Sequence, residues 1–396
     1  MKRLFILASA AALFAACSVN DGLNPGLDTE RVPLTISVSD ALSAPVVGTR
    51  SNVNNIQSTV LDPASTAQIG VYVLPAGQTA STPAQEYMAW NAEQLEYVAH
   101  GSYTDVTIDG SLYYPASKTQ KVDIYAYVPK GNDVSSNIST ETTNVAIQAN
   151  QSTKANYLLS DVLWGRVGDG TGDETASGNH SNAPINAANH LAAKAGTATN
   201  GYVTTTGEVI IPMFHKAAKI IVKITPVGMD VARLKGATVK FYVNGTNTTT
   251  PIVSTALNVS SGAITALIPA ATPVIAPMVF TDKLGKDESD GDIPASASDG
   301  NGTQGAIGDG STISGYACSG IILPQTLKKG NTLIEIVLSD NTTYAYKIPT
   351  EGSDITFASG NVYTYTIAVT ASSLTLTTTV ADWNAGSSIS DSATLQ

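Results

Sequence analysis

The residue types that carry most enzyme chemistry are sparse and scattered in this 396-residue chain. Its four histidines are His100, His180, His190 and His215, and no two have the i, i+4 spacing that puts a pair of zinc ligands on one helix face. His180 and His190 lie in a polar stretch and read as solvated loop residues. His215 follows the apolar Ile210-Ile211-Pro212-Met213-Phe214 and has no Ser or Cys nearby in a nucleophile motif, so it reads as a satisfied structural histidine. Two acidic sets, Asp169 with Asp173 and Glu174, and Asp287 with Asp290 and Asp292, sit in Gly-rich loops where hard oxygen ligands could gather around calcium. Neither has the EF-hand register ending in a bidentate Glu, and both read as turn-forming, solubilising acids. Trp90, Trp164 and Trp383 could build a sugar-stacking platform, but tryptophans this dispersed read as core or edge anchors. Gly168-Asp169-Gly170 and Gly308-Asp309-Gly310 lack the preceding strand, the following helix and the Lys of a phosphate loop. No carboxylate pair stands out for glycoside hydrolysis. These residues point away from an enzyme, and no cofactor or metal is expected.

The one position with distinctive chemistry is Cys17. Lys2-Arg3 followed by the apolar run 4–16 is a charged, short, small-residue-terminated leader that is too short to span a bilayer. Its end, Leu13-Phe14-Ala15-Ala16-Cys17, resembles a bacterial lipobox, with Phe14 departing from the usual aliphatic residue. Small residues there admit the signal peptidase, and the Cys17 thiol is expected to take the lipid. The second cysteine, Cys318, then has no partner within the chain and reads as a buried small hydrophobe. Loss of Lys2 and Arg3 takes the net charge from -11 to -13. So acidic a body does not adsorb to anionic membranes, and acyl chains must do the anchoring. The same acidity, with only 13% charged residues, excludes a nucleic-acid binder that reads phosphates through basic patches.

The elements that would position such residues are strands. Val32, Leu34, Ile36 and Val38 fall on one face of an alternating run. Similar runs recur at 69–74, 122–128, 220–224, 332–338 and 363–370, rich in Val, Ile, Tyr and Thr and separated by Gly, Pro, Asn and Asp turns. Only 84–97 suggests a helix. The expectation is a mostly β protein of antiparallel sandwiches, with a domain junction near 208 after the polar stretch 165–207 and an exposed loop or insertion at 282–314.

Several segments together resemble the fimbrillin family, the lipoprotein-derived type V pilus subunits of Bacteroidales. They are Tyr113-Tyr114-Pro115 with the strand 122–128, Ser160-Asp161-Val162-Leu163-Trp164, and Phe214-His215-Lys216-Ala217-Ala218-Lys219-Ile220. Ile322-Leu323-Pro324-Gln325 and Gly360-Asn361-Val362-Tyr363-Thr364-Tyr365 with Ala381-Asp382-Trp383 complete the order. The resemblance implies two transthyretin-like sandwich domains in tandem, at 51–208 and 209–396, behind a signal at 1–16 and a lipidated propeptide at 17–50. It also implies outer-membrane anchoring, then a cell-surface fimbrium, with other pilin subunits and a trypsin-like maturation protease as partners. In that scheme the self-complementing strand is 32–39 and the protease cuts between Arg50 and Ser51. A cut at Arg31 would leave the strand attached. The donor strand lies from about 374 onward, with Leu374, Leu376, Ile389, Ala393 and Leu395 as its apolar residues and Asp391 interrupting the second set. A tip or accessory adhesin that binds a surface ligand through the loops 165–207 or 282–314 is the alternative. Replacing Cys17 with Ser is expected to abolish palmitate labelling and detergent-phase partitioning of the exported chain.

Overall fold

The computed structural model describes residues 32–40, 70–75, 95–100, 103–108, 114, 117–128, 142–168, 179–180, 185–196, 203, 207–266, 274–297, 303–371, 373–382 and 388–389. Cys17, Arg31, Arg50, Ser51, Trp90, Asp169, Asp173, Glu174, Trp383, Ala393 and Leu395 lie outside the described residues, as do the side chains of Val38, His100, His180 and Ile389.

The fold is mostly β. The N-terminal part contributes β1 (Thr35–Asp40), β2 (Gly70–Pro75), β3 (Leu95–His100), β4 (Tyr103–Ile108), β5 (Val122–Val128), β6 (Thr142–Ala146), α1 (Lys154–Leu159), β7 (Leu163–Val167), β8 (Asn179–His180), α2 (Ala187–Lys194) and β9 (Glu208–His215). Seven of these strands run in the order β2-β5-β7-β9-β1-β4-β3, with β8 beside β7. Strand β9 pairs in parallel with β1 over Glu208–Met213 and antiparallel with β7 at Phe214 and His215. It therefore turns the corner between two layers, as strands do where a sheet folds over its own core. Leu34, Ile36, Val209, Ile211 and Met213 face Val73, Val122, Ile124, Ala126, Val128 and Leu163 across that core.

The chain changes sheet between His215 and Ala218, so the strand that begins at the expected junction near 208 belongs to the first core. Beyond it come β10 (Ala218–Pro226), β11 (Thr238–Asn247), β12 (Thr250–Pro251), β13 (Ser254–Asn258), β14 (Ile264–Ala266), β15 (Val274–Thr281), β16 (Gln304–Gly308), β17 (Ile313–Ile322), β18 (Gln325–Leu327), β19 (Thr332–Val337), β20 (Thr343–Lys347), β21 (Ile355–Phe357), β22 (Asn361–Val369), β23 (Leu374–Asp382) and β24 (Ser388–Ile389). Sheet β16-β17-β10-β22-β23-β24 packs on sheet β12-β11-β19-β20, where β15 also pairs with β11. Alternation builds the layer between them: Val239, Phe241 and Val243 of β11 point inward with Ile220, Val222 and Ile224 of β10 and Tyr365 and Ile367 of β22. Phe241 stacks on Phe280 at 5.3 Å and meets Phe357 edge-on at 5.6 Å. Each core carries one long parallel pair, β1 with β9 and β10 with β22, and apart from the two-residue β7–β8 pair the other strand ladders are antiparallel.

Three local expectations change. The polar stretch 165–207 contains α2, which Asn186 starts by accepting from the Asn189 amide. The stretch 282–314 contributes β16, paired with β17 from Gln304↔Cys318 onward. The expected helix at 84–97 is described only from Leu95, where the chain is strand β3.

Gly320 lies under the aromatic stack, and a Cβ there would stand 2.2 Å from Phe280 Cε1. Gly320→Ala is expected to cost about 1–3 kcal/mol through displacement of that ring, read as a lower urea midpoint with an unchanged m-value.

Candidate functional site

Strand β1 is an interior strand contributed by the start of the described chain. Its register runs from Thr35↔Glu208 to Asp40↔Met213 on one edge, with Ser37↔Asp105, Val38↔Thr104 and Ser39↔Tyr103 on the other. Leu34 and Ile36 are buried, and Val32 packs at the margin of the same core. The Tyr114 amide donates to Val32 O at 2.9 Å, which clamps the entry of the strand. Tyr114 is itself held from behind by His190 of α2, ring centroids 5.3 Å apart. His190 is thus buried, contrary to the expectation of a solvated loop residue, because α2 folds onto the core through Ala187 and Ala193. Desolvation lowers its pKa, with the neighbouring Lys194 charge adding to the effect. Gly207, at φ +89°, lets the chain pass the imidazole where a Cβ would approach to 2.4 Å.

Two sequence motifs far apart in the chain meet where the sheets join. Leu163 pairs with His215 and Trp164 with Phe214, and the Lys216 amide donates to Val162 O at 2.7 Å. His215 Nδ1 lies 2.9 Å from Asp161 Oδ1, both side chains fully buried, so His215 is a structural residue paired through that nitrogen. The Lys216 ammonium sits over the Trp164 ring at 4.9 Å, and Trp164 Nε1–H donates to Val259 O at 2.7 Å. Gly262, at φ +67°, makes room for that indole, a Cβ being only 2.5 Å from it. Trp164 is therefore a core anchor.

The segment that ends in α1 crosses to the second core well before the chain does. β6 pairs antiparallel with β13, and the Gln151 amide donates to Val279 O. The buried Gln151 side chain donates from Nε2 to Ile321 O at 2.7 Å and accepts the Ile321 amide at 2.8 Å. It thus pairs with β17 as a neighbouring strand would. Nothing in the sequence around Gln151 signals this role.

The acids at 287–292 are engaged by the protein itself. Asp290 takes Lys283 at 2.7 Å, and Asp292 takes Lys235 at 2.6 Å and Lys286 at 2.7 Å. Those two lysines hold the Asp292 carboxyl down at about 2. Asp287 Oδ1 accepts the Ser289 and Gly291 amides, the pattern of a turn-forming acid. Among the described residues no group of three or more His, Cys, Asp or Glu side chains could hold a metal ion. Cys318 is fully buried in β17, and burial pushes its thiol ionisation far up, as suits an inert small hydrophobe.

At the other end of the chain, β23 pairs with β22 along its whole length, from Val369↔Leu374 to Asn361↔Asp382. Leu376 is buried and Leu374 half-buried against the second core.

The family model described as fimbrillin-like matches residues 49–383. The chain belongs to the fimbrillin-like family. Membership makes it a pilus or cell-adhesion protein of the cell surface and not a member of an enzyme family. Among solved structures, the chain resembles a candidate cell adhesion protein of Bacteroides uniformis at 15% identity and TM-score 0.50, covering 90% of this chain and 100% of that one. A second, from Bacteroides ovatus, matches at 14% identity and TM-score 0.52, covering 90% and 99%. At such identities the likeness shows a shared fold. No curated protein matches the sequence.

Burial lowers the Lys216 ammonium from its ordinary 10.5 to about 8. Between those values the unfolded chain binds more protons than the folded one, so this group makes stability rise as pH increases from about 8 to about 10.5 and is neutral to pH below that window. Wild type is expected to gain about 1–2 kcal/mol over Lys216→Met between pH 7.5 and 9.5, checked by urea unfolding of both at each pH.

Proposed function

We propose that this fimbrillin-like chain is a pilus subunit, exported as a lipoprotein through Cys17, activated by a trypsin-like cut after Arg50 and polymerised by donor-strand exchange. The observation that carries the reading is the placement of β1. An interior strand that precedes every other described element could be freed by a cut on its C-terminal side. Its loss would expose the unpaired edges of β9 and β4 and the apolar trough lined by Val209, Ile211 and Met213.

Arg50 lies ten residues beyond the end of β1. A cut there separates 17–50, with its lipid, from the body that begins at Ser51. A cut at Arg31 would sever the lipid and leave the strand in place. The replacement strand comes from another subunit's C-terminal region, where Leu374 and Leu376 are followed by Ile389, Ala393 and Leu395. Within that region Leu374 and Leu376 serve their own sheet in β23, which leaves the residues beyond it as the part most readily given to a neighbour. The same cut detaches the subunit from its membrane anchor, passing it from the outer membrane to the fimbrium.

Burial of Leu34 and Ile36 contributes roughly 1.5–3 kcal/mol each, and an intramolecular strand competes at high effective concentration. Concentration alone therefore does not displace β1, and cleavage must gate assembly. Arg50→Ala is expected to remain a lipidated monomer under protease treatment that turns wild type into fibres, as seen by negative-stain electron microscopy. Fibres from Arg50→Ala equal to wild type would reject Arg50 as the switch.

A further inference from the structure

The start of strand β1 is held by a contact with two unsatisfied polar atoms at its centre. Tyr114 and His190 are both buried, and their rings meet edge-on with planes at 64°. Among the described residues neither the Tyr114 hydroxyl nor His190 Nδ1 has a hydrogen-bond partner. Buried polar atoms are ordinarily paired, so two orphans on one contact need a reason.

The contact is anchored on both sides. The Tyr114 amide, through its bond to Val32 O, fixes the strand where it enters the sheet. Behind His190, α2 is docked on the arm at 117–122, where the Ala188 amide donates to Lys118 O at 2.9 Å and Ile185 bridges to Val122. The chain at Gly207 closes the far side of the ring, since a Cβ there would stand 2.4 Å from Cε1 and 2.7 Å from Nε2. The imidazole is thus wedged between Tyr114 and the lead into β9.

A neutral imidazole fits this slot, whereas an imidazolium would carry an Nδ1–H that faces no acceptor. The surrounding charges are all of the wrong sign. Lys194 lies one turn along α2 with its stem also against Gly207, and the arm beneath contributes the exposed Lys118 and Lys121. Tyr114 offers no counter-charge, because burial pushes its ionisation far up. Among the described residues no carboxylate pairs with His190. Desolvation and Lys194 therefore outweigh the backbone hydrogen bond at Gly207, which alone favours the charge.

We propose that His190 is an acid-sensitive latch on β1: neutral, it props Tyr114 against Val32, and protonation expels it from the slot, so that α2 and Tyr114 withdraw together and the entry of the strand is released. The opened state takes a proton at the ordinary 6.5 and the closed state only at lower pH, so acidification through 6.5 favours opening, and above that value the latch is indifferent to pH. The latch belongs to the folded chain as it stands and does not depend on whether the strand is later exchanged.

The test is amide hydrogen exchange of the full chain at pH 7.5 and 5.0, corrected for the intrinsic rate at each pH and read by mass spectrometry on peptides covering Tyr114 and residues 32–40. Wild type is expected to lose between about fivefold and thirtyfold in protection there at pH 5.0, the upper value being the ceiling set by a 6.5 midpoint in the opened state. Strand β19 in the second core is expected to be unchanged. His190→Gln and His190→Phe, which fill the slot with groups that do not charge in this range, are expected to hold the same protection at both pH values. Lys194→Glu, an exposed change that keeps the assay open if the buried position tolerates neither replacement, sets a carboxylate beside the ring and is expected to at least halve the loss. Unchanged protection in wild type, an equal loss in β19, the wild-type loss in either folded His190 variant, or an undiminished loss in Lys194→Glu would overturn the latch.

Discussion

A strand in the middle of a sheet has two rows of backbone N–H and C=O groups to satisfy, and the N-terminal core depends on β1 doing so for its neighbours as well as itself. β9 pairs with β1 over six residues, and the β3–β4 hairpin reaches β9 through β1. Each buried backbone group left without a partner would cost on the order of 1–3 kcal/mol. The apolar side chains add to the dependence, since Leu34 and Ile36 share the layer of Ile211 and face the layer carrying Ile124. One segment thus serves as both ladder and core.

The second constraint is that β5 and β7 are buried on both faces. In β5 the aliphatic set Val122, Ile124, Ala126 and Val128 lines the first core, while Tyr125 and Tyr127 join the second. Asp123 is buried there too and pairs with Arg166 of β7 at 3.0 Å, with the guanidinium over the Tyr125 ring. Polar groups in such a place need partners, and the junction supplies them: Asp161 to His215, Trp164 to Val259 and Gln151 to Ile321. These bonds hold the two cores together by fixed geometry. None of these junction contacts is made by β1.

The exposed acids follow a different logic. Where Asp290, Asp292, Asp340 and Asp354 meet lysine or arginine, the pairs are at the surface, and each is worth little in water. Their use is to shape turns between strands, as Asp287, Asp309 and Asp340 do through backbone amides.

Much of this was legible in the sequence. Period-two alternation marked the strands, because side chains in a strand alternate faces whatever the surroundings. The apolar run at 4–16, Cys17 and Arg50 are features of local sequence, so they could be singled out without any knowledge of the fold. The alternation at 32–38 announced a strand with one apolar face but could not say which strands flank it, since pairing joins residues more than sixty positions apart. The tertiary structure decided that β1 is interior, that Asp161 meets His215, and that Gln151 stands in for a strand against Ile321. It also turned His190 from a polar-loop residue into a buried prop behind Tyr114. Helix α2 was missed because its eight residues carry too weak a stripe, and it is held by its Asn186 cap and by the core beneath it. Local pattern sets the direction in which each side chain points. Which partner it finds there depends on chain closure over long distances, and only the folded whole contains that information.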